Sequence, residues 1–222
     1  TEFADLEMDE LLERIVVKPY KSLMQKNVLS KTILVTGSGG SIGSELCKQI
    51  IKFNPKKIIL VEISEYALYS IHSKLEQVKS PDIDVIPLIG SVQDVKRMEE
   101  IISIWKPATI YHAAAYKHVP LVEQNLIEGL KNNVLGTYEL AKLASLYKVS
   151  NFVFISTDKA VRPTNIMGAT KRLAELSLQA LNHKNFRSNN YNNTTKFSIV
   201  RFGNVLDSSG SVIPKFREQI RK

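Results

Sequence analysis

A carboxylate, an amine and a hydroxyl stand side by side where one apolar segment ends. Residues 151–155 are apolar except for the first, and Ser156-Thr157-Asp158-Lys159 follows them directly. A second lysine, Lys171, comes four residues after Met167, so the two side chains project from one face of a helix. Acids and amines held at one place move protons in general acid–base reactions. We therefore take Thr157, Asp158, Lys159, Met167 and Lys171 as the first candidates for a catalytic site.

Strand-length apolar segments alternate with helical patterns along the chain. Strands are predicted at residues 31–36, 57–62, 84–89, 109–112, 151–156 and 196–201. Helices are predicted at residues 41–53, 65–78, 92–105, 122–147 and 165–181. Unbroken apolar strands that alternate with helices are typical of a parallel sheet covered on both faces. The pattern predicts an α/β fold of the Rossmann type, with a doubly wound parallel sheet.

The two ends of the chain depart from this alternation. Residues 1–30 are expected to form an N-terminal arm, with a helix over residues 9–17 that ends before Pro19. Residues 182–195 are rich in Asn and Ser and predict a surface loop. Beyond Arg201 the chain is expected to leave the sheet, with a last helix starting near Pro214. Residues 31–222 would then form one domain, of which residues 201–222 begin a substrate-binding portion.

A glycine-rich turn lies between the first predicted strand and the first predicted helix. Residues 36–43 read TGSGGSIG, with Gly37, Gly40 and Gly43 at the spacing of a dinucleotide-binding loop. A pyrophosphate would lie over the helix N-terminus, near Ser41 and Ile42, where free N–H groups favour anions. Glu62 ends the second strand 19 residues later and can bind both ribose hydroxyls. Its carboxylate repels a 2′-phosphate and no arginine adjoins it, so we predict NAD rather than NADP.

Further positions fit the same cofactor. Small residues at Ala113, Ala114 and Ala115 follow the fourth strand and would let the cofactor lie flat over the sheet. Asn133, early in the long predicted helix, would lie beneath the nicotinamide. Ser91 and Val92 follow the third strand and would contact the adenine.

Composition limits the other functions. The chain of 222 residues has 30 Lys and Arg against 22 Asp and Glu, a net charge of +8. A solvated basic surface is the first interpretation, and affinity for anionic ligands or a membrane surface is the second. Binding to nucleic acid has no support, because the lysines are dispersed and no recognition motif interleaves them with aromatic residues. The four histidines have no metal-ligand spacing, and no metal is expected.

The single cysteine and the lack of long apolar runs bear on the cellular compartment of the protein. Cys47 has no partner for an internal disulfide, which fits a reducing cytoplasm, and it is expected to be buried. No apolar run approaches the ~18 residues of a transmembrane helix. The chain begins at Thr1 rather than Met, so we expect a fragment. The expected location is cytoplasmic, as a soluble domain of an inner-membrane-anchored protein whose membrane segment is absent here.

Three motifs together resemble one family. They are the glycine loop, residues 112–120 (HAAAYKHVP) and residues 156–171 (STDKAVRPTNIMGATK), and residues 201–206 (RFGNVL) and 208–214 (SSGSVIP) extend the match. The sequence resembles the extended short-chain dehydrogenase/reductases, and more narrowly the CapD-like polysaccharide biosynthesis proteins in the branch of UDP-N-acetylglucosamine 4,6-dehydratases. The resemblance covers nearly all of residues 31–222.

The resemblance implies a lyase reaction on a UDP-sugar with no net use of NAD. Sugar C4 is oxidised, water is lost across C5 and C6, and C6 is reduced. Asp158 would be the general acid for the departing C6 hydroxyl and Lys159 the base at C5. Thr157 would hydrogen-bond the C4 oxygen, and Lys171 would hold the nicotinamide ribose and lower the pKa of the group that deprotonates the C4 hydroxyl. The product would be a UDP-4-keto-6-deoxy-N-acetylhexosamine for surface polysaccharide synthesis.

Met167 stands where relatives usually have a tyrosine. A thioether cannot accept a proton, so the base at C4 would be Thr157 with a relay, a water molecule, or a group of the substrate itself. The methionine resembles the members that retain configuration at C5. Lys117 is expected to contact the cofactor or the sugar, and Asn204 and Val205 match positions that line the substrate site.

The sequence departs from these relatives in two ways, and two functions other than a dehydratase are considered. Asp207 stands where relatives usually have glycine. Relatives also continue past Lys222 with residues that complete the sugar-nucleotide pocket, and longer ones carry an N-terminal membrane domain. The alternatives are a UDP-sugar 4-epimerase, which needs no acid–base pair at C5 and C6, and a non-catalytic NAD-binding regulator. A homo-oligomer is expected by analogy with the fold.

Overall fold

The computed structural model describes residues 20–187 and 195–205. The predicted helix over residues 9–17, residues 188–194 of the predicted loop, Asp207 and the helix expected near Pro214 lie outside the described residues. Six strands are present: β1 (Thr32–Thr36), β2 (Lys57–Glu62), β3 (Asp84–Ile89), β4 (Thr109–His112), β5 (Asn151–Thr157) and β6 (Lys196–Phe202).

Helices precede, connect and cover these strands. The α-helices are α1 (Lys21–Val28), α2 (Ser41–Ile51), α3 (Glu65–Glu76), α4 (Val95–Trp105), α5 (Val119–Gln124), α6 (Leu126–Leu130), α7 (Thr137–Leu146) and α8 (Ile166–Arg187). A π-helical turn, Lys131–Gly136, joins α6 to α7, and a 3-10 turn, Asp158–Ala160, follows β5.

All six strands form one parallel sheet in the order β3-β2-β1-β4-β5-β6. The chain starts near the centre at β1, builds outward to β3, and then returns to β4 on the other side of β1. This reversal between β1 and β4 is the crevice where doubly wound sheets bind ligands. The structure confirms the predicted α/β architecture.

Strands β1 and β2 bury residues on both faces of the sheet, in two separate cores. Leu34 and Ile59 pack with Phe152 and Phe154 on one face, beneath α4, α7 and α8. Ile33 and Ile58 pack with α2 and α3 on the other. Complete burial of such a side chain contributes about 1.5–3 kcal/mol. Cys47 is fully buried in the second core, as predicted.

The single long helix predicted over residues 122–147 is wrong. Asn125 interrupts it with a non-helical backbone (φ −132°, ψ 53°), and its side-chain amide donates to the Leu121 carbonyl at 2.9 Å. The helix before this break starts at Val119, with Pro120 in its first turn, where proline is tolerated. After the break, the six-residue π-turn holds more residues per turn than the α-helices on either side of it. The 3.6-residue repeat of apolar side chains cannot reveal either feature, because a one-residue break hardly changes which face of the helix is apolar.

The other predicted limits differ by a few residues. The helix predicted from residue 92 starts at Val95, because Asp94 caps it by accepting from the Arg97 amide at 3.0 Å. Helix α8 reaches Arg187, six residues beyond the predicted end and into the predicted loop. Strand β5 includes Thr157.

Helix α1 was not predicted. It lies just before β1, and Val28 at its end is completely buried in the second core. The Asn27 carbonyl also accepts from the Thr109 hydroxyl at the start of β4, at 3.4 Å. Within residues 20–187 and 195–205, no helix combines the length and apolarity that crossing a membrane requires.

Candidate active site

The glycine loop turns tightly against the end of β4. Gly37 has a left-handed backbone (φ +65°), and a Cβ atom there would lie 2.6 Å from the Ala114 nitrogen. A Cβ atom on Gly43 would lie 2.0 Å from the Gly37 oxygen, so this glycine lets α2 begin directly beneath the turn. A Cβ atom on Gly40 would meet only the Gly37 oxygen, at 3.4 Å. The first and third glycines thus close the turn, and the second leaves its surface open.

Two adjoining clefts lie over this loop at the carboxyl edge of the sheet. The first has a volume of about 510 Å³ and is lined by Gly37, Gly40–Gly43, Ala113, Ala115–His118, Leu121, Val122, Asn125 and Glu128. The second, of about 300 Å³, is lined by Glu62, Ser91, Val92 and Ala113–Tyr116, among others. All the small and polar residues predicted to hold the cofactor, except Asn133 and Lys171, line one of these clefts. They include Ser41 and Ile42.

Glu62 is held in place by backbone N–H groups of the loops around it. Its Oε2 accepts from the Gly39 amide at 3.0 Å, and its Oε1 accepts from Ile63 at 2.9 Å and Ser64 at 3.2 Å. The carboxylate therefore has a fixed direction at the edge of the second cleft. Such a preset group can accept two ribose hydroxyls without first ordering a flexible side chain.

Asn133, which is predicted to lie beneath the nicotinamide, is hydrogen-bonded within the protein. Its Oδ1 accepts from the Tyr116 amide at 2.8 Å, and its Nδ2 donates to the Tyr116 carbonyl at 3.0 Å and to the Thr170 hydroxyl at 3.0 Å. Both amide hydrogens are thus used within the protein. Asn133 lies in the π-turn and holds the loop that follows β4 against helix α8. It can shape the clefts through this loop.

His112 connects the glycine turn to the π-turn, and sequence analysis missed this role. The Thr137 hydroxyl donates to the Asn133 carbonyl at 2.7 Å, so it accepts from His112 Nε2 at 2.8 Å. His112 Nδ1 consequently accepts from the Thr36 hydroxyl at 2.7 Å. Burial, with a smaller contribution from the Lys171 charge, lowers the pKa of His112 to about 3, so the ring is neutral. In the sequence, the signal for this role is a histidine at the end of a buried strand.

Asp158 and Lys159 form a pair at the end of β5. The Asp158 carboxylate accepts from the Thr157 hydroxyl at 3.0 Å and lies 3.4 Å from Lys159 Nζ. The hydrogen bond from Thr157, aided by Lys159, holds the pKa of Asp158 below its ordinary value. Lys159 Nζ also donates to Asn204 Oδ1 at 2.9 Å. The structure thus joins the predicted acid, base and one predicted substrate residue in one cluster.

Lys171 lies inside the protein rather than at its surface. Its Nζ donates to the Ile155 carbonyl at 2.7 Å and lies 3.9 Å from the centre of the Phe154 ring. Burial lowers the pKa of Lys171 to about 7, although nearby Glu175 acts in the opposite direction. Met167, in the first turn of α8, is also buried. Gly168 brings this turn close to the Asp158–Lys159 pair, since a Cβ atom there would lie 2.3 Å from the Lys159 carbonyl oxygen.

Glu175 is a second residue that sequence analysis missed. It is completely buried, and its carboxylate accepts from Ser156 at 2.6 Å, Arg201 Nε at 2.8 Å and Arg172 at 3.0 Å. Burial alone would raise its pKa, but the bonds from Arg201, Ser156 and Arg172 outweigh burial and lower it. Its position four residues after Lys171, on the same helical face, is a signal that could have identified it.

The remaining predicted substrate residues border the clefts. Lys117 lines the first cleft. Asn204 and Val205 line a third cleft of about 620 Å³, which Ile42 joins to the first. In the part of the chain that the structure describes, no three His, Cys, Asp or Glu side chains converge as a metal site would require.

Comparison with known proteins gives consistent matches. The chain is 50% identical over 215 residues to the capsular polysaccharide biosynthesis protein CapD of Staphylococcus aureus, covering 97% of this chain and 35% of CapD. It is 34% identical to a UDP-N-acetylglucosamine 4,6-dehydratase (inverting) of Campylobacter jejuni and 33% identical to a UDP-glucose 4-epimerase of Rickettsia bellii. These two matches cover 86% and 87% of this chain, and 54% of each relative.

A solved structure agrees with the sequence relatives. Pen from Bacillus thuringiensis superposes with a TM-score of 0.78 at 31% identity, over 87% of this chain and 56% of Pen. The chain spans between about a third and about half of the curated relatives that it matches. The model of the polysaccharide biosynthesis protein family matches residues 33–222. With its parallel sheet and glycine turn, this chain therefore belongs to the polysaccharide biosynthesis protein family, within the extended short-chain dehydrogenase/reductases.

Proposed function

We propose that the clefts over the glycine loop bind NAD. The open face of Gly40, the start of α2 and the preset carboxylate of Glu62 fit the pyrophosphate and the adenosine ribose of a dinucleotide. The 2′-phosphate of NADP would lie against the Glu62 carboxylate, which disfavours NADP. Bound there, NAD supplies the redox capacity that oxidation at C4 and reduction at C6 of a sugar require.

We propose further that the protein is a UDP-N-acetylglucosamine 4,6-dehydratase. The observation that carries this proposal is the Asp158–Lys159 pair, 3.4 Å apart at the carboxyl end of β5, with Lys159 also bonded to Asn204. Elimination of water needs a base at C5 and an acid at the C6 hydroxyl. A 4-epimerase has no use for this combination.

The pair can exchange one proton. In the free protein the lowered pKa of Asp158 favours a carboxylate beside the Lys159 ammonium. A sugar that displaces water from the pair would disfavour both charges, so the proton would move from Lys159 to Asp158. Lys159 could then take the proton from C5, and Asp158 could give its proton to the departing hydroxyl.

Oxidation at C4 needs another proton acceptor, and Met167 cannot supply it. We propose that Thr157 orients the C4 hydroxyl. We propose also that Lys171 lowers the pKa of the group that deprotonates this hydroxyl, since its own pKa of about 7 lets it titrate near neutral pH. Thr157 with a relay, a water molecule and a group of the substrate remain the candidates for the acceptor itself.

The second candidate function is a UDP-sugar 4-epimerase. It rests on the Rickettsia bellii epimerase, which is as similar to this chain as the Campylobacter jejuni dehydratase is. Incubation of the protein with NAD and UDP-N-acetylglucosamine, followed by NMR of the product, separates the two. We expect a 4-keto-6-deoxy sugar. A 4-epimer that keeps its C6 hydroxyl would establish the epimerase, and binding of NAD without turnover would indicate a regulator.

A further inference from the structure

The edge of the sheet opposite the candidate active site carries a row of lysines. Five neighbouring strands, β2, β1, β4, β5 and β6, each have a lysine at the first residue or within the three residues before it, and β2 has two, of which Lys57 pairs with Asp84. This lysine row consists of Lys56, Lys31, Lys106, Lys148 and Lys196. All but Lys31, which is half-buried, are exposed.

Backbone hydrogen bonds show that these positions are neighbours. The Lys56 amide donates to the Lys31 carbonyl at 2.9 Å, and the Lys196 amide donates to the carbonyl of Ser150, two residues after Lys148, at 2.9 Å. Between them, Ala108 after Lys106 bonds to both β1 and β5. With about 4.8 Å between strands, the row spans about 19 Å.

The lysine row differs from lysines on the helices in its ion pairs. In the part of the chain that the structure describes, none of its five ammonium groups forms an ion pair, whereas Lys48, Lys131 and Lys142 on the helices each pair with a glutamate three residues earlier. At the β3 end of this edge, Asp84 pairs with Lys57 and also attracts Lys56 of the row.

Two lysines of the row occupy backbone positions that favour glycine. Lys106 (φ 44°) and Lys148 (φ 56°) both lie in the left-handed region just past the end of a helix. Glycine is the usual residue there, because other side chains are crowded by their own backbone. Attraction to the negative helix C-terminus does not account for these positions. A lysine in the last helical turn has the same attraction without the strained, left-handed backbone.

Exposed apolar side chains lie at the same edge, where the helices end. Val78, Ile104 and Leu146 follow or end α3, α4 and α7, and they are 67%, 62% and 66% exposed. Cationic groups that alternate with exposed aliphatic groups match the boundary of a lipid bilayer, where the charges meet headgroups and the aliphatic groups enter the acyl region. Single-stranded nucleic acid would instead call for exposed aromatic groups on which bases stack.

We propose that the lysine row docks the protein on an anionic phospholipid surface, with the candidate active site facing away from it. The contact is electrostatic and peripheral. It does not depend on the proposed reaction, because the two sites lie at opposite edges of the sheet.

The test uses vesicles of phosphatidylcholine with and without phosphatidylglycerol, sedimented with the 222-residue chain at low salt. The pair Lys106→Gly and Lys148→Gly removes two charges while relaxing two strained backbones, so its melting temperature should not fall. Each lysine near an anionic surface contributes about fivefold to binding, so we expect affinity for the anionic vesicles to drop about thirtyfold. High salt should weaken binding of the parent.

A matched control is available at the same edge. Ser30 (φ 57°) and Asn54 (φ 49°) are also left-handed, and Ser30→Gly with Asn54→Gly relaxes them without removing charge. This control should bind like the parent. Failure of the parent to bind, equal binding to neutral vesicles, or an equal loss in the control pair would each overturn the proposal.

Discussion

At the scale of single residues, the three loop glycines are not equivalent. Gly43 has no room for a methyl group, because the Gly37 oxygen would lie 2.0 Å away, whereas Gly40 faces an open cleft. The same change at the two positions should therefore separate the stability of the fold from its affinity for a nucleotide.

Gly43→Ala should lower the free energy of unfolding by about 1–3 kcal/mol, because overpacking outweighs the better helix propensity of alanine. Gly40→Ala should leave that free energy within about 0.5 kcal/mol of the parent but weaken NAD binding at least tenfold, because the methyl group would occupy the place of the pyrophosphate. Urea unfolding and calorimetric titration with NAD measure the two effects. Equal NAD affinity in Gly40→Ala and the parent would contradict the proposed site.

The sequence predicts the tight turn at these glycines, because the close approach of Gly43 to Gly37 joins residues six apart in the chain. It does not predict the His112 bonds to Thr36 and Thr137, whose partners lie 76 and 25 residues away. The same holds for Glu175 and Arg201, which are 26 residues apart. A local pattern carries no information on which distant polar groups will meet once the strands pair.

At the scale of elements, one buried carboxylate ties three of them together. Glu175 on α8 binds Ser156 near the end of β5, two residues before Asp158, and Arg201 near the end of β6. The segment after β6 then supplies Asn204 to Lys159. The position of the Asp158–Lys159 pair relative to Asn204 therefore depends on this junction.

Glu175→Gln should lower the free energy of unfolding by about 1.5–3 kcal/mol, because the buried side chain loses its charge-assisted hydrogen bonds from Ser156, Arg201 and Arg172. Glu139→Gln, which removes the exposed partner of Lys142, should change that free energy little. Urea unfolding at neutral pH compares the two variants. Similar small losses in both would show that the junction does not stabilise the fold.

At the scale of the whole molecule, the fold depends on a histidine that stays neutral. The pKa of His112 is about 3 in the folded chain and about 6.5 in an unfolded one, so between these values the unfolded chain binds more protons. The stability contributed by the neutral ring is thus present above pH 6.5 and is lost as the pH falls toward 3.

We expect acidification from pH 6.5 to 4.5 to reduce the free energy of unfolding by up to about 1.4 kcal/mol per pH unit through this one group. His112→Gln removes the titration, so its stability, although lower at pH 7, should vary less over the same range. Chemical unfolding at several pH values measures the difference. Parallel curves for parent and variant would show that His112 is not responsible.

The central claim, that Lys159 is the base at C5 of a 4,6-dehydratase, is tested most directly by isotope incorporation. The protein, NAD and UDP-N-acetylglucosamine are incubated in deuterated water, beside Lys159→Ala and the exposed-lysine control Lys131→Ala. We predict deuterium at C5 of a 4-keto-6-deoxy product for the parent and the control. In Lys159→Ala we predict a rate at least about 100-fold lower, with NAD binding unchanged. A 4-epimer without deuterium, or undiminished exchange at C5 in Lys159→Ala, would contradict the account.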